Sequence, residues 1–276
     1  MNDISKQLSK AGYEPAGDGS VALSGAAATL YRRLERFLAL SLARYYQEST
    51  LAPIFIEEDV LERAGYLAHF PQQVFVAQGI VGARHATPLP GRKYLNPAGC
   101  LHVYPTLRGR DLAGAPFSGF VTAQCARHEE GTWEYPFRLA GFNMAELVVA
   151  GDEPRVGELC DEMQRVVPSM LGRLGFDVEV RVATDAFFLG SSDGARAIQK
   201  LKELKKEYVV RVGRGRVALA SLNNHETYFS RRFGIGARGG PPIHSFCLAF
   251  GLERLTACGL LLWGDHESEW PRDLRA

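Results

Sequence analysis

The chain has 276 residues, of which 46% are apolar and 23% are charged, and its formal net charge is +1. This balance is ordinary for a globular protein and excludes an overall basic surface for wrapping a nucleic acid. The five cysteines are scattered and odd in number, which argues against a disulfide framework and predicts a reducing, cytoplasmic location. The start lacks the apolar core of a signal peptide, and the apolar run near 260–263 is too short to span a bilayer, so we expect no membrane association.

The first part of the chain predicts a flexible lead-in and then a helix and an edge strand. Residues 1–20 are polar and Gly-rich, and we expect them to precede a single domain over 21–276. Apolar residues at helical spacing predict a helix over 26–46, and Pro53 favours an edge strand over 51–56. This helix and strand are a candidate homodimer contact, although an ordinary helix-strand corner fits the pattern equally well.

The rest of the chain alternates strand-like and helical patterns, with a Gly- and Pro-rich loop predicted over 79–97. The expected strands lie near 73–78, 100–104, 119–128, 137–150, 176–183, 207–212, 216–225 and 245–251, and the expected helices near 154–174, 194–206 and 252–263. Strands that follow one another without intervening helices predict an α+β fold, a mainly antiparallel sheet flanked by helices.

Two of these strands place chemically active side chains on one face, because alternate residues of a strand point the same way. The two sets are Cys125, Arg127 and Glu129 on the first strand, and Arg138, Phe142 and Glu146 on the second. If the strands pair as a hairpin, their shared wall carries metal ligands at one end and nucleotide contacts at the other. The alternative is a half-exposed hairpin with surface charges, in which Cys125 is a small core residue.

A third segment adds a cysteine and an arginine to this site. Cys247, Ala249 and Gly251 alternate onto one face of a strand, and Arg254 follows in the first turn of the next helix. Small residues let a flat ligand approach the backbone, and a guanidinium can stack on a base. Two thiolates and one carboxylate, from Cys125, Glu146 and Cys247, form a three-ligand zinc set with an open position, as catalytic zinc sites have.

These segments resemble motifs 2 and 3 of class II aminoacyl-tRNA synthetases. Arg127-His128-Glu129, a loop and Arg138-Leu139-Ala140-Gly141-Phe142 resemble motif 2, and Phe250-Gly251-Leu252-Glu253-Arg254 resembles motif 3. The resemblance implies a class II catalytic domain in which Arg127 holds the ATP α-phosphate and the amino-acid carboxylate, and Glu129 contacts the adenine end. It also implies that Arg138 reaches the γ-phosphate, while Phe142 and Arg254 sandwich the adenine ring. The helix before Pro53 resembles, less specifically, the dimer-forming motif 1.

The cysteines and Glu146 narrow the resemblance to two groups within class II. The pattern is similar to the zinc site of the atypical seryl-tRNA synthetases and of their truncated relatives, the amino acid:[carrier protein] ligases. Ala249 stands where the family pattern favours glycine, which narrows or reshapes the substrate pocket. No acid stands near Ala218, where class II enzymes often hold magnesium, and Glu226 and Glu253 are alternative candidates that fit a surface role equally well.

The resemblance implies ATP-dependent activation of a small amino acid as an aminoacyl-adenylate, with zinc and magnesium as cofactors. Zinc with an open position would take the α-amino group, and Asn223 and His225, which share parity on one strand, are candidate substrate contacts or buried structural residues. The expected acceptor is the phosphopantetheine thiol of an acidic carrier protein rather than tRNA, because the chain has no basic arm. The lysines 200, 202, 205 and 206 are a candidate docking surface or a solvated helix face. The alternatives are an inactive regulatory subunit and a ligase with a small-molecule acceptor.

Overall fold

A computed structural model of the chain describes residues 3–78, 92–112, 114–128, 134–183, 203–213, 215–236 and 239–275. Its α-helices are α1 (Asp3–Lys10), α2 (Gly25–Ser41), α3 (Glu58–Arg63), α4 (Tyr66–His69), α5 (Glu153–Arg173), α6 (Tyr228–Phe233) and α7 (Leu252–Trp263). Short 3-10 helices occupy Ala43–Tyr45, Pro71–Gln73, Gly99–His102, Tyr104–Leu107, Glu267–Glu269 and Arg272–Leu274. The strands are β1 (Tyr13–Pro15), β2 (Val21–Leu23), β3 (Glu48–Ala52), β4 (Phe55–Glu57), β5 (Val76–Ala77), β6 (Lys93–Leu95), β7 (Phe117–Ala126), β8 (Gly141–Gly151), β9 (Glu179–Val182), β10 (Lys205–Val212), β11 (Gly215–Glu226) and β12 (His244–Gly251).

A seven-stranded sheet in the order β3-β7-β8-β12-β11-β10-β9 forms the centre of the molecule. Its strand pairs are antiparallel except for β3 and β7, which are parallel. A three-stranded sheet (β4-β6-β5) and a two-stranded sheet (β1-β2) flank it. The prediction of an α+β domain with a mainly antiparallel sheet and flanking helices is confirmed.

The two faces of the main sheet cover two different cores. On one face, Leu147, Leu248 and Phe250 pack in a cluster with residues of α1, α2, α5 and α7. On the other face, Val148 and Cys247 pack in a smaller cluster with the 3-10 helices of 99–107 and with α6. Because successive strand residues point to opposite faces, β8 and β12 contribute to both clusters. The smaller cluster contains the chemically active side chains.

The expected flexible lead-in over 1–20 does not describe Asp3–Pro15. Leu8 and Tyr13 are fully buried in the larger core, and Gln7 Nε2 donates to the carbonyl of Leu260 at 3.0 Å. Composition alone does not reveal α1, because this amphipathic helix has only eight residues and a short buried face.

Two further expectations on secondary structure need correction. The strand expected over 100–104 is instead part of two 3-10 helices, Gly99–His102 and Tyr104–Leu107, and Pro97, Gly99 and Pro105 on either side of it favour turns. The helix expected over 194–206 falls mostly outside the described residues, and its last part, Lys205 and Lys206, begins β10.

Other expectations agree with the structure in outline. The predicted edge strand over 51–56 divides at Pro53 into the end of β3 and the start of β4. β3 is an edge strand of the main sheet. The predicted loop over 79–97 includes β6, and its residues 79–91 lie outside the described part of the chain. Among the described residues, no helix has the length and apolar character needed to cross a bilayer.

Candidate functional site

Three buried side chains converge on the face of the main sheet that the smaller cluster covers. Cys100, Glu146 and Cys247 each offer a ligand atom, and these atoms all lie within 4.8 Å of one another. The residues expose 6%, 1% and 3% of their surface, respectively. Two thiols and a carboxyl group at this spacing are a set that one divalent cation can bind together.

The strand register brings two of these residues together. Glu146 on β8 lies opposite Ala249 on β12, and Cys247 is two residues from Ala249 on the same face. Cys100 comes from the 3-10 helix Gly99–His102, whose first residue lies against Ala123 of β7. Residues from three separate parts of the chain therefore form the group.

Gly99 fixes the position of the Glu146 carboxylate. Its backbone N–H donates to Glu146 Oε1 at 2.6 Å. A Cβ atom at position 99 would lie 2.8 Å from this oxygen and 2.9 Å from the Cβ of Ala123. Because such contacts are too short for carbon, only glycine allows the backbone to come this close to the carboxylate.

The prediction that Cys125 completes the metal set is corrected by the register of β7 and β8. Val121 lies opposite Glu146, whereas Cys125 lies opposite Phe142. The ligand atoms that lie within 4.8 Å of one another belong to Cys100, Glu146 and Cys247. Cys125 is buried, and its sulfur contacts Asn96 Nδ2 at 3.8 Å. The structure therefore gives Cys100 as the third candidate ligand, and Cys125 is a core residue of the same face.

Cys100 was missed in the sequence because it was assigned to a strand that does not exist. The signal for its position was the run Asn96-Pro97-Ala98-Gly99-Cys100, in which proline and glycine favour a turn. The glycine next to this cysteine is the residue that the close approach to Glu146 requires.

Two members of the metal-free group, Glu146 and Cys100, resist ionisation because their pKa values are raised. Burial raises the pKa of Glu146, although the Gly99 N–H and Cys100 oppose the shift. The pKa of Cys100 is raised well above the ordinary thiol value by its hydrogen bond with Cys247, by burial and by the nearby Glu146 carboxylate. Three potential anions in a buried space repel one another unless a cation neutralises them. The donor set and its electrostatics therefore fit a zinc ion.

Two polar side chains of β11 surround the Cys247 sulfur. Asn223, which lies opposite Cys247 in the sheet, has its Nδ2 atom 3.4 Å from Sγ. Its Oδ1 atom is buried and has no hydrogen-bond partner among the described residues. His225 Nε2 lies 3.6 Å from the same sulfur, and His225 Nδ1 lies 2.9 Å from Tyr104 Oη. Burial lowers the pKa of His225 to about 3, so its ring is neutral.

The predicted substrate contacts therefore lie beside the three-residue group. Asn223 presents an unsatisfied acceptor, which a buried polar group rarely keeps without a ligand or water. Both ring nitrogens of His225 contact protein groups. Ala249 is buried and lies directly opposite Glu146. Substrate binding by these three residues stays a prediction.

Arg127 lies at the open end of the same face. Its guanidinium carbon is 5.3 Å from the centre of the Phe142 ring, and its Nε donates to the carbonyl of Pro97 at 2.8 Å. Its Nη2 atom lies 3.9 Å from the sulfur of Met144, which precedes Glu146 by two residues on β8. The arginine and the aromatic ring predicted for nucleotide binding are thus paired and next to the three-residue group.

Arg254 and Glu253 link β12 and α7 to the neighbouring segments. Arg254 Nε donates to the carbonyl of Phe137 at 2.6 Å, and its Nη1 donates to the carbonyl of Ala218 at 3.3 Å. The two carboxylate oxygens of Glu253 accept from the backbone N and from the Nδ2 of Asn143, at 2.8 and 2.6 Å.

Glu253 is buried, which raises the pKa of its carboxyl group, so it is not the surface acid considered as one alternative. Arg138 is exposed just before β8. Glu129 lies outside the described residues.

Curated relatives match most of the chain. It is 28% identical over 270 residues to amino acid–[acyl-carrier-protein] ligase 1 of Bradyrhizobium diazoefficiens, a match covering 89% of this chain and 82% of that protein. Ligase 2 of the same organism is 27% identical over 268 residues, covering 89% of this chain and 80% of the relative. No known protein-family profile matches the chain.

Solved structures of aminoacyl-tRNA synthetases share the fold. Seryl-tRNA synthetase of M. kandleri, solved with tRNASec of A. aeolicus, superposes with a TM-score of 0.85 at 18% identity. Cytoplasmic serine-tRNA ligase of Naegleria fowleri with AMP gives 0.76 at 16%, and prolyl-tRNA synthetase of Giardia lamblia with prolyl-adenylate gives 0.75 at 16%. These matches cover 99%, 94% and 93% of this chain but only 59%, 62% and 52% of the respective synthetase chains.

Proposed function

We propose that this chain, which has the class II aminoacyl-tRNA synthetase catalytic fold and resembles amino acid–[acyl-carrier-protein] ligases, activates a small amino acid with ATP and passes it to a carrier protein. The observation that carries the proposal is the convergence of Cys100, Glu146 and Cys247 next to the paired Arg127 and Phe142. The three-residue group would select an amino acid, and the pair of Arg127 and Phe142 would hold a nucleotide. The similarity to the two ligases of Bradyrhizobium diazoefficiens supports the acceptor.

Cys100, Glu146 and Cys247 would hold zinc, leaving a coordination position open. When bound, zinc supplies a Lewis acid that takes the neutral α-amino group of the substrate and leaves its carboxylate free. The buried Oδ1 of Asn223 is an acceptor that an amino group could satisfy. The side chain of Ala249, opposite Glu146, limits the space available and favours a small amino acid.

The nucleotide end uses planar and cationic groups. We assign Arg127 to the ATP α-phosphate and the substrate carboxylate, and Phe142 and Arg254 to the two faces of the adenine ring. Arg138 and Glu129 are assigned to the γ-phosphate and the adenine end. A carboxylate oxygen of the amino acid would attack the α-phosphorus, pyrophosphate would leave, and Arg127 would stabilise the charge that develops on the phosphate.

Neither of the two acids considered for magnesium, which ATP normally carries, suits the nucleotide end of the site. Both oxygens of Glu253 are occupied by Asn143, so we assign this acid a structural role that joins β8 to α7. Glu226, at the end of β11, has a positive φ of 50°. A non-glycine residue at positive φ is uncommon, and such positions concentrate at functional sites. The strand register, however, places Glu226 eight residues along β11 from Ala218, whose carbonyl accepts from Arg254 at the nucleotide end, so we assign Glu226 no contact with the magnesium of ATP.

The proposed acceptor is the phosphopantetheine thiol of an acidic carrier protein. The thiol would attack the aminoacyl carbonyl, and AMP would leave with the electron pair of the broken bond. tRNA is not proposed as the acceptor, since both curated relatives are named for acyl-carrier proteins. Lysine-mediated docking rests on Lys200 and Lys202, which lie outside the described residues. Lys205 and Lys206 lie on β10, and salt bridges join them to Glu207 and Glu203 at 3.3 and 2.8 Å.

We also propose that two copies associate through the β3 edge. Leu51 is 83% exposed on β3, and Phe55 on β4 is 51% exposed. Exposed apolar side chains on an edge strand favour pairing with another chain. The five cysteines are free and buried, as a reducing cytosol allows, and a cytoplasmic location stays a prediction.

Exchange of labelled pyrophosphate into ATP, screened over a panel of amino acids with zinc present, tests the activation step. We expect exchange with one or a few small amino acids. If none of the amino acids supports exchange, the chain is better described as an inactive synthetase-like subunit.

Intact-mass measurement of a phosphopantetheinylated carrier tests the transfer step. The carrier should gain the mass of the activated amino acid minus one water. An unchanged carrier mass together with active exchange would instead favour a small-molecule acceptor.

A further inference from the structure

His225 occupies an enclosed position between aromatic rings and the sulfur of Cys247. It is fully buried, and its ring meets the Phe229 ring edge-on, with centroids 4.7 Å apart. The Tyr104 ring stacks on the Phe229 ring, with centroids 4.2 Å apart. Packing therefore fixes the plane of the imidazole.

The groups around the two ring nitrogens differ in chemistry. Nδ1 faces two hydroxyl groups, Tyr104 Oη at 2.9 Å and Ser245 Oγ at 3.3 Å. Nε2 faces Cys247 Sγ at 3.6 Å. A hydroxyl can donate or accept, whereas a thiolate can only accept. Once Cys247 is a thiolate, the only tautomer that satisfies both sides carries its proton on Nε2.

We infer that His225 is a positioning residue of the metal centre, which Tyr104 and Ser245 hold in the Nε2–H tautomer so that it donates a hydrogen bond to the Cys247 thiolate. Asn223 Nδ2, 3.4 Å from the same sulfur, is a second donor. Hydrogen bonds to a thiolate withdraw electron density from the sulfur and orient its lone pairs. A metal bound by this thiolate keeps more of its positive charge for the amino group of the substrate. This inference rests on the metal centre of the proposed function.

The experiment uses the full chain loaded with Co²⁺, whose thiolate-to-metal charge-transfer absorption reports the electron density on sulfur. The variant His225→Gln keeps an amide donor near the position of Nε2, whereas His225→Asn reaches only the position of Nδ1. His225→Phe fills the space without a donor. We expect the Phe and Asn variants to shift the charge-transfer band to lower energy and to weaken metal affinity about 10- to 100-fold. We expect the Gln variant to retain the band and most of the affinity.

An unshifted band and unchanged affinity in His225→Phe would overturn the inference, as would equal effects in the Gln and Asn variants. If the position 225 variants do not fold, the double variant Tyr104→Phe with Ser245→Ala decides. It keeps the ring stack with Phe229 but removes both hydroxyl groups that fix the tautomer. A smaller shift in the same direction supports the inference, and no shift overturns it.

The metal readout separates this inference from the proposed function. A cobalt-loaded wild-type protein with the expected shifts in its variants, but no exchange of pyrophosphate for any amino acid, would leave the inference standing and refute the function. A wild-type protein whose cobalt spectrum shows no thiolate band would refute the inference.

Discussion

The choice between two cysteines, Cys100 and Cys125, decides which residues form the proposed metal site. Cys100 belongs to the group with Glu146 and Cys247, whereas Cys125 lies four residues further along β7 than the partner of Glu146. Its sulfur contacts the Asn96 amide, and burial raises the pKa of its thiol, as is usual for an inert structural cysteine. The two cysteines should respond differently to removal.

Cys100→Ala should abolish stoichiometric zinc binding, because a carboxylate and one thiolate are left as ligands. Cys125→Ala should keep one zinc per chain and lose only packing stability, on the order of 1 kcal/mol. Metal analysis of the purified variants, with Cys258→Ala as a buried control on the other face, measures the difference. Loss of zinc in Cys125→Ala with retention in Cys100→Ala would restore the original assignment.

Gly99 offers a second test at the residue scale, because any side chain at this position would overlap neighbouring atoms. Gly99→Ala should displace the Glu146 carboxylate and lower zinc affinity by at least tenfold, because the new Cβ would lie 2.8 Å from Oε1. Gly157→Ala is the matched control: position 157 lies within α5, and a new Cβ there would have no atom within 4 Å apart from its chain neighbours and the helix's own backbone. Alanine in a helix interior should stabilise the control by up to about 1 kcal/mol.

Competition with a chromophoric chelator gives the zinc affinity of both glycine variants. Wild-type affinity in Gly99→Ala would show that the 3-10 helix can move away without releasing the metal. The contact between Gly99 and Glu146 would then have no role in binding.

At the scale of elements, local patterns predicted the long strands and helices but not how they meet. Alternation identified β7, β8 and β12 and the parity of Glu146 and Cys247 on them, because these patterns are local. The register between β7 and β8 depends on the whole hairpin. Parity alone therefore favours Cys125 as a metal ligand, whereas the β7 residue opposite Glu146 is Val121.

The 3-10 helix that carries Cys100 could not be inferred from periodicity, since four residues are too few to show any period. The residues at the nucleotide end were easier to identify, because Arg127 and Phe142 belong to one hairpin, in which the guanidinium lies over the aromatic ring. The metal set combines three distant segments and therefore depends on tertiary structure.

The edge strand β3 provides the test of association between copies. Leu51→Lys should convert a dimer into a monomer, because a charge on the exposed edge opposes pairing with a second chain. Leu262→Lys is the control, since Leu262 is 54% exposed on α7, away from β3. Sedimentation velocity at micromolar concentration measures both variants. A wild-type protein that sediments as a monomer, or a dimer that survives in Leu51→Lys, would remove β3 from the interface.

At the scale of the whole molecule, the residues of the proposed metal site couple proton binding to stability. In the metal-free fold, the pKa values of Glu146 and Cys100 are raised, so the folded chain holds more protons there than the unfolded chain. Stability from these groups is therefore fully present below their unfolded pKa values and is lost as pH rises above them. The windows begin near the ordinary values of about 4.3 for a glutamate and about 8.5 for a thiol.

Metal binding has the opposite dependence, because the cation must displace these protons. We expect zinc affinity to rise at least tenfold per pH unit between pH 6 and 8, since the Cys100 thiol, whose pKa is raised, must lose its proton. The difference in melting temperature between zinc-loaded and metal-free protein should widen over the same range. Tighter zinc binding at higher pH stabilises the loaded protein further, whereas the metal-free protein gains no stability. Chelator competition and thermal melts at three pH values measure both quantities. Calorimetry in buffers of different ionisation enthalpy should count at least one proton released per zinc; an affinity independent of pH would mean that the metal binds without the Cys100 thiolate.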